Sequence, residues 1–235
     1  MSTVLSRILP HDVATAEAFG TLPDPSPSPE EAASLGQAVD KRRVEFATGR
    51  TLARRALLQL GVPPAPILRG SKREPLWPAG VVGSITHCRD YSAAAVAASA
   101  VVAAIGVDAE PHAPLPRGVL ELVTIADERQ WIRSRDGDGV CWDRVLFSAK
   151  ESVYKSWFPT TRRWLGFADV HLTIDPDAGT FAARLVTERL TIVRSVLASL
   201  PGRFLVHGEH VLTAVVIAAP PVDQRNPIDQ APITG

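Results

Sequence analysis

Three groups of residues in this sequence have the types and spacing for chemistry. Asp108 and Glu110 stand in the run Gly106-Val107-Asp108-Ala109-Glu110. On a strand, alternate side chains share a face, so the two carboxylates would lie side by side. Such a pair repels unless a cation or hydrogen bonds hold it, and an oxygen-only donor set suits Mg²⁺ bridging protein carboxylates to phosphates. Taken alone, Asp-x-Glu is so common that an exposed strand end with two solvated acids is by far the more frequent reading. The second group is Lys150, Glu151 and Lys155. Read as a helix, the segment carries an aromatic arc of Phe147, Tyr154 and Phe158 with Glu151 in or beside it, and an acid in a partly apolar groove has a reason to be functional. A plain Glu151–Lys155 surface pair is the balanced alternative. Lys150 points about 100° away from Glu151, so the three charges could meet one phosphate from different directions. The third group is basic: Arg42, Arg43, Arg50, Arg54 and Arg55, then Arg69, Lys72 and Arg73. A solvated face is the common reading of such a run; a phosphate pocket, since guanidinium binds phosphate bidentately, is the sharper one. Ser84, Thr86 and His87 would add donors.

These residues need elements to hold them. Asp40 to Leu60 reads as a helix with Phe46, Ala53, Leu57 and Leu60 on one face and Gly61-Val62-Pro63 as its stop. Ile67 to Trp77 reads as a strand and a turn. Gly83 to His87 and Tyr91 to Ala98 read as two strands about a short turn, and Val101 to Glu110 as another. A helix near Cys141 to Phe158 carries the core stripe Trp142, Leu146, Ala149, Val153 and Trp157. Val170–Ile174 and Thr180–Val186 form a strand pair about Asp175-Pro176-Asp177. Thr187 to Leu200 reads as a helix, and Phe204–His207 and Val211–Ala219 as a further strand pair. Pro23 to Pro29 is irregular because proline lacks the ladder donor, and the proline-rich tail from Pro220 is expected to be mobile.

The order of elements repeats. His87 opens a short polar turn followed by an apolar strand, and so does His207. Two similar halves would place a cleft at their interface.

Composition narrows the classes. In 235 residues, 25 Lys+Arg balance 25 Asp+Glu, so net charge gives no general reason for nucleic-acid or membrane-surface binding. A hydrophobic content of 46% is enough for a core. Cys88 and Cys141 are far apart and outside any zinc or disulfide spacing, which points to a reducing cytoplasm. No secretory signal is visible, and Tyr91 to Val107 is too weakly hydrophobic for a membrane span.

Gly83-Ser84-Ile85-Thr86-His87, Gly106-Val107-Asp108-Ala109-Glu110 and Phe147-Ser148-Ala149-Lys150-Glu151-Ser152-Val153-Tyr154-Lys155 follow one another in that order. Together they resemble the motifs of the 4′-phosphopantetheinyl transferases, in the two-repeat class serving nonribosomal peptide, polyketide and siderophore carrier domains. The resemblance runs from about Arg42 to Ala218. It implies an α+β fold of two pseudo-symmetric halves, residues 1–110 and 111–219, with a mobile tail 220–235 and the active site between the halves. It implies Mg²⁺, with Mn²⁺ as an alternative, on Asp108, Glu110, Glu151 and the main chain near Ala109. Coenzyme A (CoA) would be bound by Arg42, Arg50, Arg69, Lys72, Ser84, Thr86 and His87, with Lys150 and Lys155 near the diphosphate and Trp164 and Leu165 along the pantetheine arm. Two positions depart from the family pattern: Phe147 stands in the place of a tryptophan, and Arg73-Glu74-Pro75 in the place of Gly-Lys-Pro.

The expected reaction moves 4′-phosphopantetheine from CoA to a serine of an apo acyl or peptidyl carrier protein and releases adenosine 3′,5′-bisphosphate. Lys150 and the cation would neutralise the diphosphate, with Asp108 as a ligand and Glu151 as the candidate base. The loop Pro111 to Arg117 is the expected carrier surface, and the expected state is a cytoplasmic monomer. A non-catalytic CoA or nucleotide-phosphate binding module is the competing class, though it would be expected to lack one of the three acids. A Mg²⁺-dependent phosphohydrolase is the other, and it would not need the basic cluster.

Overall fold

A run of small apolar residues, Tyr91 to Ala98, forms the strand around which the N-terminal half is built. The computed structural model describes residues 3–186 and 199–220. In it β1 (Ala14–Phe19), β2 (Val81–Cys88) and β3 (Tyr91–Ala98) make a three-stranded antiparallel sheet in the order β1-β3-β2. β3 is buried on both faces. Ala93, Ala95 and Ala97 join one core with Ile105, Val107 and Leu212, while Ala94 and Val96 join another with Leu52, Ala53 and Leu57. Alternation sends odd residues to one layer and even residues to the other, and alanine keeps both layers close. The second layer is α2 (Asp40–Gln59), which follows the short α1 (Pro29–Ala33).

β4 (Val102–Pro111) leaves that sheet. It pairs with β8 (His210–Ala218) in a five-stranded antiparallel sheet ordered β4-β8-β7-β6-β5, where β5 is Val170–Asp175, β6 Thr180–Leu185 and β7 Leu200–His207. The change of sheet falls at Ser99–Val101, between β3 and β4. A division at residue 110 therefore gives β4 to the half whose sheet it does not join. Two short helices, α3 (Leu120–Val123) and α4 (Ala126–Arg133), lead to α5 (Trp142–Thr161). The core stripe of α5 is buried as its spacing requires: Trp142, Leu146, Ala149, Val153 and Trp157 pack on β5–β8.

α5 also lies unusually close to β4. A Cβ placed on Gly106 would sit 1.9 Å from the Ser152 carbonyl oxygen. Ser148, Ser152 and Ser156, one turn apart, are the small residues on α5 that permit this approach.

The fold class is α+β, as the sequence implies. The halves are alike in plan, each with a 20-residue helix and a tight hairpin, Cys88 pairing Tyr91 and His207 pairing His210. They differ in sheet size, three strands against five. Ile67–Trp77 forms no strand, only an isolated bridge between Arg69 and Pro75. The expected helix Thr187–Leu200 and the tail from 221 lie outside the described residues, except that Leu200 opens β7.

Candidate active site

The cleft opens where β2, the loop 69–75 and α5 meet beside β4. The alternation of β2 decides what each of its side chains does. Ile85 packs on Gly49 of α2, and His87 faces Arg42 and Glu45 on the same helix. Ser84 and Thr86 point the other way, into β4. The Val107 N–H donates to Ser84 Oγ (3.1 Å) and the Ala109 N–H to Thr86 Oγ1 (2.9 Å), so two hydroxyls cap the edge of β4 that β8 leaves open. Both are buried. Ser84 and Thr86, expected at a CoA phosphate, have oxygens that join the two sheets, and Ser84 also borders the cleft. Ala109 contributes through this N–H, and its side chain is core.

Asp108, 5% exposed, is the most connected of the three acids. Its Oδ1 accepts from Lys155 Nζ (2.7 Å) and Thr86 Oγ1 (3.4 Å), its Oδ2 from Ser148 Oγ (2.8 Å). Glu110 is held by Arg144 Nη1 at 2.8 Å. Burial and then the neighbouring Asp108 push the Glu110 carboxyl above the usual range, against the opposing pull of Arg144. Burial and then Asp108 also push Glu151 up, with Lys155 opposing. The three carboxyls are thus close enough to repel through one another's fields, and one bound cation would relieve all of them. Among the described residues no three His, Cys, Asp or Glu side chains are already gathered at coordination distance. Lys155 and Arg144 each hold one of the acids, so the donor chemistry fits a divalent cation while the groups remain paired with side-chain cations.

Glu151 and Lys155 share a cavity of about 200 Å³ with Tyr154, Phe158, Ser84, Lys72, Arg73 and Glu74. Glu74 accepts from Arg162 at the end of α5 and from the Lys72 N–H (2.9 Å), tying the loop to the opposite half. On the other side of the same loop lies a cavity of about 560 Å³ bordered by Arg42, Arg69 and Arg73. Arg42 Nη1 also lies 3.1 Å from His87 Nε2. The same Nε2 lies 3.2 Å from Glu45 Oε2, so it can accept from the arginine or donate to the carboxylate; burial lowers the His87 pKa, with Glu45 opposing.

Three further assignments are moved by the geometry. Arg50, 5% exposed, donates through Nε to the Ile67 carbonyl (2.7 Å) and lies over the Phe46 ring. Its pKa falls to about 10 through burial; it fixes the start of the basic loop. Glu31, fully buried, completes that brace by accepting from Arg54 Nη1 and the Ile67 N–H, each at 2.7 Å. Lys150 has a side chain 1% exposed, and its ammonium donates to Glu128 (2.7 Å) and the Phe167 carbonyl (2.8 Å). It lies on the core side of α5, and burial lowers its pKa. Leu165 is core, whereas Trp164 is 69% exposed with its ring against Tyr154.

The residues that sequence reasoning passed over are Glu31, Glu74, Glu128, Arg144, Ser148 and Arg162. Only Ser28-x-x-Glu31, a capping box at α1, carried a readable signal.

The cleft can therefore hold phosphates on arginines and a cation on carboxylates within one site. Known proteins match both halves of the chain. The sequence model of the 4′-phosphopantetheinyl transferase N-terminal domain matches residues 30–97, and that of the 4′-phosphopantetheinyl transferase superfamily matches residues 104–215. The break between the two matches coincides with the change of sheet before β4. The chain is 45% identical over 225 residues to the 4′-phosphopantetheinyl transferase PptT of Mycobacterium tuberculosis, covering 92% of this chain and 99% of that protein. It is 47% identical to Svp of Streptomyces mobaraensis, covering 92% and 90%. Enterobactin synthase component D of Salmonella typhi matches at 36% over 125 residues, about half of each chain. The chain belongs to the 4′-phosphopantetheinyl transferases and moves 4′-phosphopantetheine from CoA onto carrier proteins.

Proposed function

We propose that Asp108, Glu110 and Glu151 hold Mg²⁺ at the junction of β4 and α5, and that CoA lies across β2 with its 3′-phosphate among Arg42, Arg69 and His87. The observation that carries this reading is the mutual repulsion of the acids, with Glu110 and Glu151 both pushed up partly by Asp108. Mg²⁺ bound there would supply charge neutralisation to the diphosphate. Lys155 reaches the same point from α5 and is the cation that can turn from Asp108 to a phosphate. Lys72 and Arg73 stand across the cavity from Glu151 and orient the diphosphate from the loop. Tyr154, Phe158 and Trp164 offer the apolar wall along which the pantetheine arm runs.

Phosphoryl transfer needs an aligned nucleophile and charge stabilisation more than covalent help. The carrier serine must lose a proton as it attacks. Glu151, which lines the cavity beside Lys155, is the candidate to accept it. The carrier is received at the loop Pro111–Arg117, which is bolted to α5: Arg144 donates to the Ala113 and Pro114 carbonyls, and the Leu115 N–H donates to Asp143. Among the described residues no helix is long and apolar enough to cross a membrane, and CoA and carrier proteins are cytoplasmic reactants. The carriers are those of nonribosomal peptide, polyketide or siderophore assembly.

The test is intact mass of a panel of apo carrier proteins after incubation with CoA, Mg²⁺ and the enzyme. A gain of one phosphopantetheine, lost when the carrier serine is replaced by alanine and when Mg²⁺ is chelated, is expected. Modification that survives chelation refutes the metal assignment.

A further inference from the structure

We propose that Ser148, backed by Thr213, is a positioning residue for the Asp108 carboxylate and through it for the divalent cation, an inference that rests on the metal reading above. Behind Asp108, away from the cleft, lies a closed group of hydroxyls: Ser148, Ser152 and Thr213 are all 0% exposed. Their protons have one direction. An ionised Asp108 only accepts, so Ser148 Oγ donates to Oδ2 at 2.8 Å. Thr213 Oγ1 lies 3.0 Å from Ser148 Oγ and 2.9 Å from the Ser148 carbonyl oxygen, so its proton goes to Ser148 by either route. Ser152 Oγ then has Thr213 Oγ1 as its acceptor. Ser152 thus leans on Thr213 and Thr213 on Ser148, through its carbonyl or its hydroxyl, while only Ser148 Oγ reaches the Asp108 carboxylate.

The consequence is an asymmetric Asp108. Oδ2 is engaged from behind by a buried donor, and Oδ1 is the oxygen that meets Lys155 and the cleft. Asp108 therefore offers a single oxygen to a cation. That suits a small octahedral ion and disfavours Ca²⁺, which readily takes both oxygens of a carboxylate. The arrangement depends on the close approach of α5 to β4: a Cβ at residue 106 would meet the Ser152 backbone, one turn from Ser148, and something would have to shift.

The experiment measures metal directly, without turnover. Mn²⁺ is titrated into CoA-saturated enzyme lacking carrier, and free Mn²⁺ is read from its electron paramagnetic resonance signal, with Ca²⁺ as competitor. Asp108→Asn should lose Mn²⁺ binding. Ser148→Ala should weaken it about ten- to hundredfold, the range for losing a residue that orients a ligand, and should let Ca²⁺ compete better. Ser156→Ala removes a buried hydroxyl from the same face of α5 that bonds only the Val153 carbonyl; it should bind Mn²⁺ as the wild type does. Should Ser148→Ala fail to fold, Ser148→Cys, with nearly the same shape and a weak donor, should give an intermediate loss. Wild-type Mn²⁺ affinity in the Ser148 variants alongside loss in Asp108→Asn overturns the inference and leaves the metal reading standing. Equal weakening in Ser156→Ala also overturns it, because general packing would then be the cause. Unchanged binding in Asp108→Asn overturns the metal reading and the inference together.

Discussion

Replacing Lys150 by methionine separates two accounts of the best-known position in the helix motif. Methionine keeps the length and removes the charge. If the ammonium served the diphosphate, the fold would be indifferent and CoA handling would suffer. The structure points the other way. Lys150 and Glu128 have side chains only 1% exposed, 2.7 Å apart, and the Glu128 carboxylate also accepts from the Ile125 and Leu172 N–H groups at 2.9 Å. Removing the cation leaves that carboxylate buried and unpaired, which costs about 3–5 kcal/mol for a pair of this kind. Little is subtracted for solvent screening, since neither group meets water. A chain of 235 residues loses about 2–4 °C in Tm per kcal/mol, so the expected fall is roughly 6–20 °C. Glu128→Gln combined with Lys150→Met should recover part of it, because the orphaned charge is gone. Thermal unfolding by calorimetry, alongside CoA titration of the folded fraction, reads both quantities. A Lys150→Met enzyme with unchanged Tm and a large loss of turnover would refute the reasoning and return Lys150 to the phosphates.

Glu151→Gln should lower turnover about a hundredfold or more if Glu151 takes the serine proton, and at neutral pH it should make the metal-free protein more stable. The sign follows from the raised carboxyl pKa: the ionised form is disfavoured in the folded state, so its penalty is present above the folded pKa and vanishes below the unfolded one. Stability of the two proteins measured from pH 8 down to pH 4 should converge in acid, and a gap that widens there contradicts this. Gly106→Ala would set a Cβ against backbone, where overpacking costs about 1–3 kcal/mol or more; a normal Tm would show that α5 is not held so close. Arg42→Ala should weaken CoA more than dephospho-CoA, read from the two KM values. Arg50→Ala should instead lower Tm with both donors affected alike, since it orphans the Ile67 carbonyl at about 1–3 kcal/mol.

Much of this was written in local periodicities. The apolar stripe of α5 and the two hairpins follow from spacing, because their contacts are near in sequence or repeat with the helix. β1, with four alanine, threonine and glutamate residues ahead of its last two, has no strong alternation and gains its place only by pairing with β3. The faces on which the site residues lie were less legible, for a different reason. Ser84, Thr86 and His87 were grouped by chemistry, yet strand alternation already puts His87 on the opposite face from the two hydroxyls. Lys150 likewise follows Leu146 by four residues and precedes Val153 by three, which is the core stripe and not the face of Glu151. What no local rule could supply is which sheet receives β4, since that depends on β8 a hundred residues later.

That late partner sets the order in which the enzyme can come into being. The segment bearing Asp108 and Glu110 is made early, but its ladder partners Thr213 and Val211 are made near the end of the described chain. Closing so long a loop is slow and entropically unfavourable until many other contacts reward it. During synthesis the sheet of β1, β2 and β3 and the arginines on α2 can form first, giving a half that carries the basic cluster with the acids still unplaced. Catalytic competence then arrives in a single late event, when β8 docks between β4 and β7 and α5 closes on Gly106. A refolding experiment should accordingly show Trp77 packing onto the core between α2 and β3 ahead of activity, with the activity phase limited by β8.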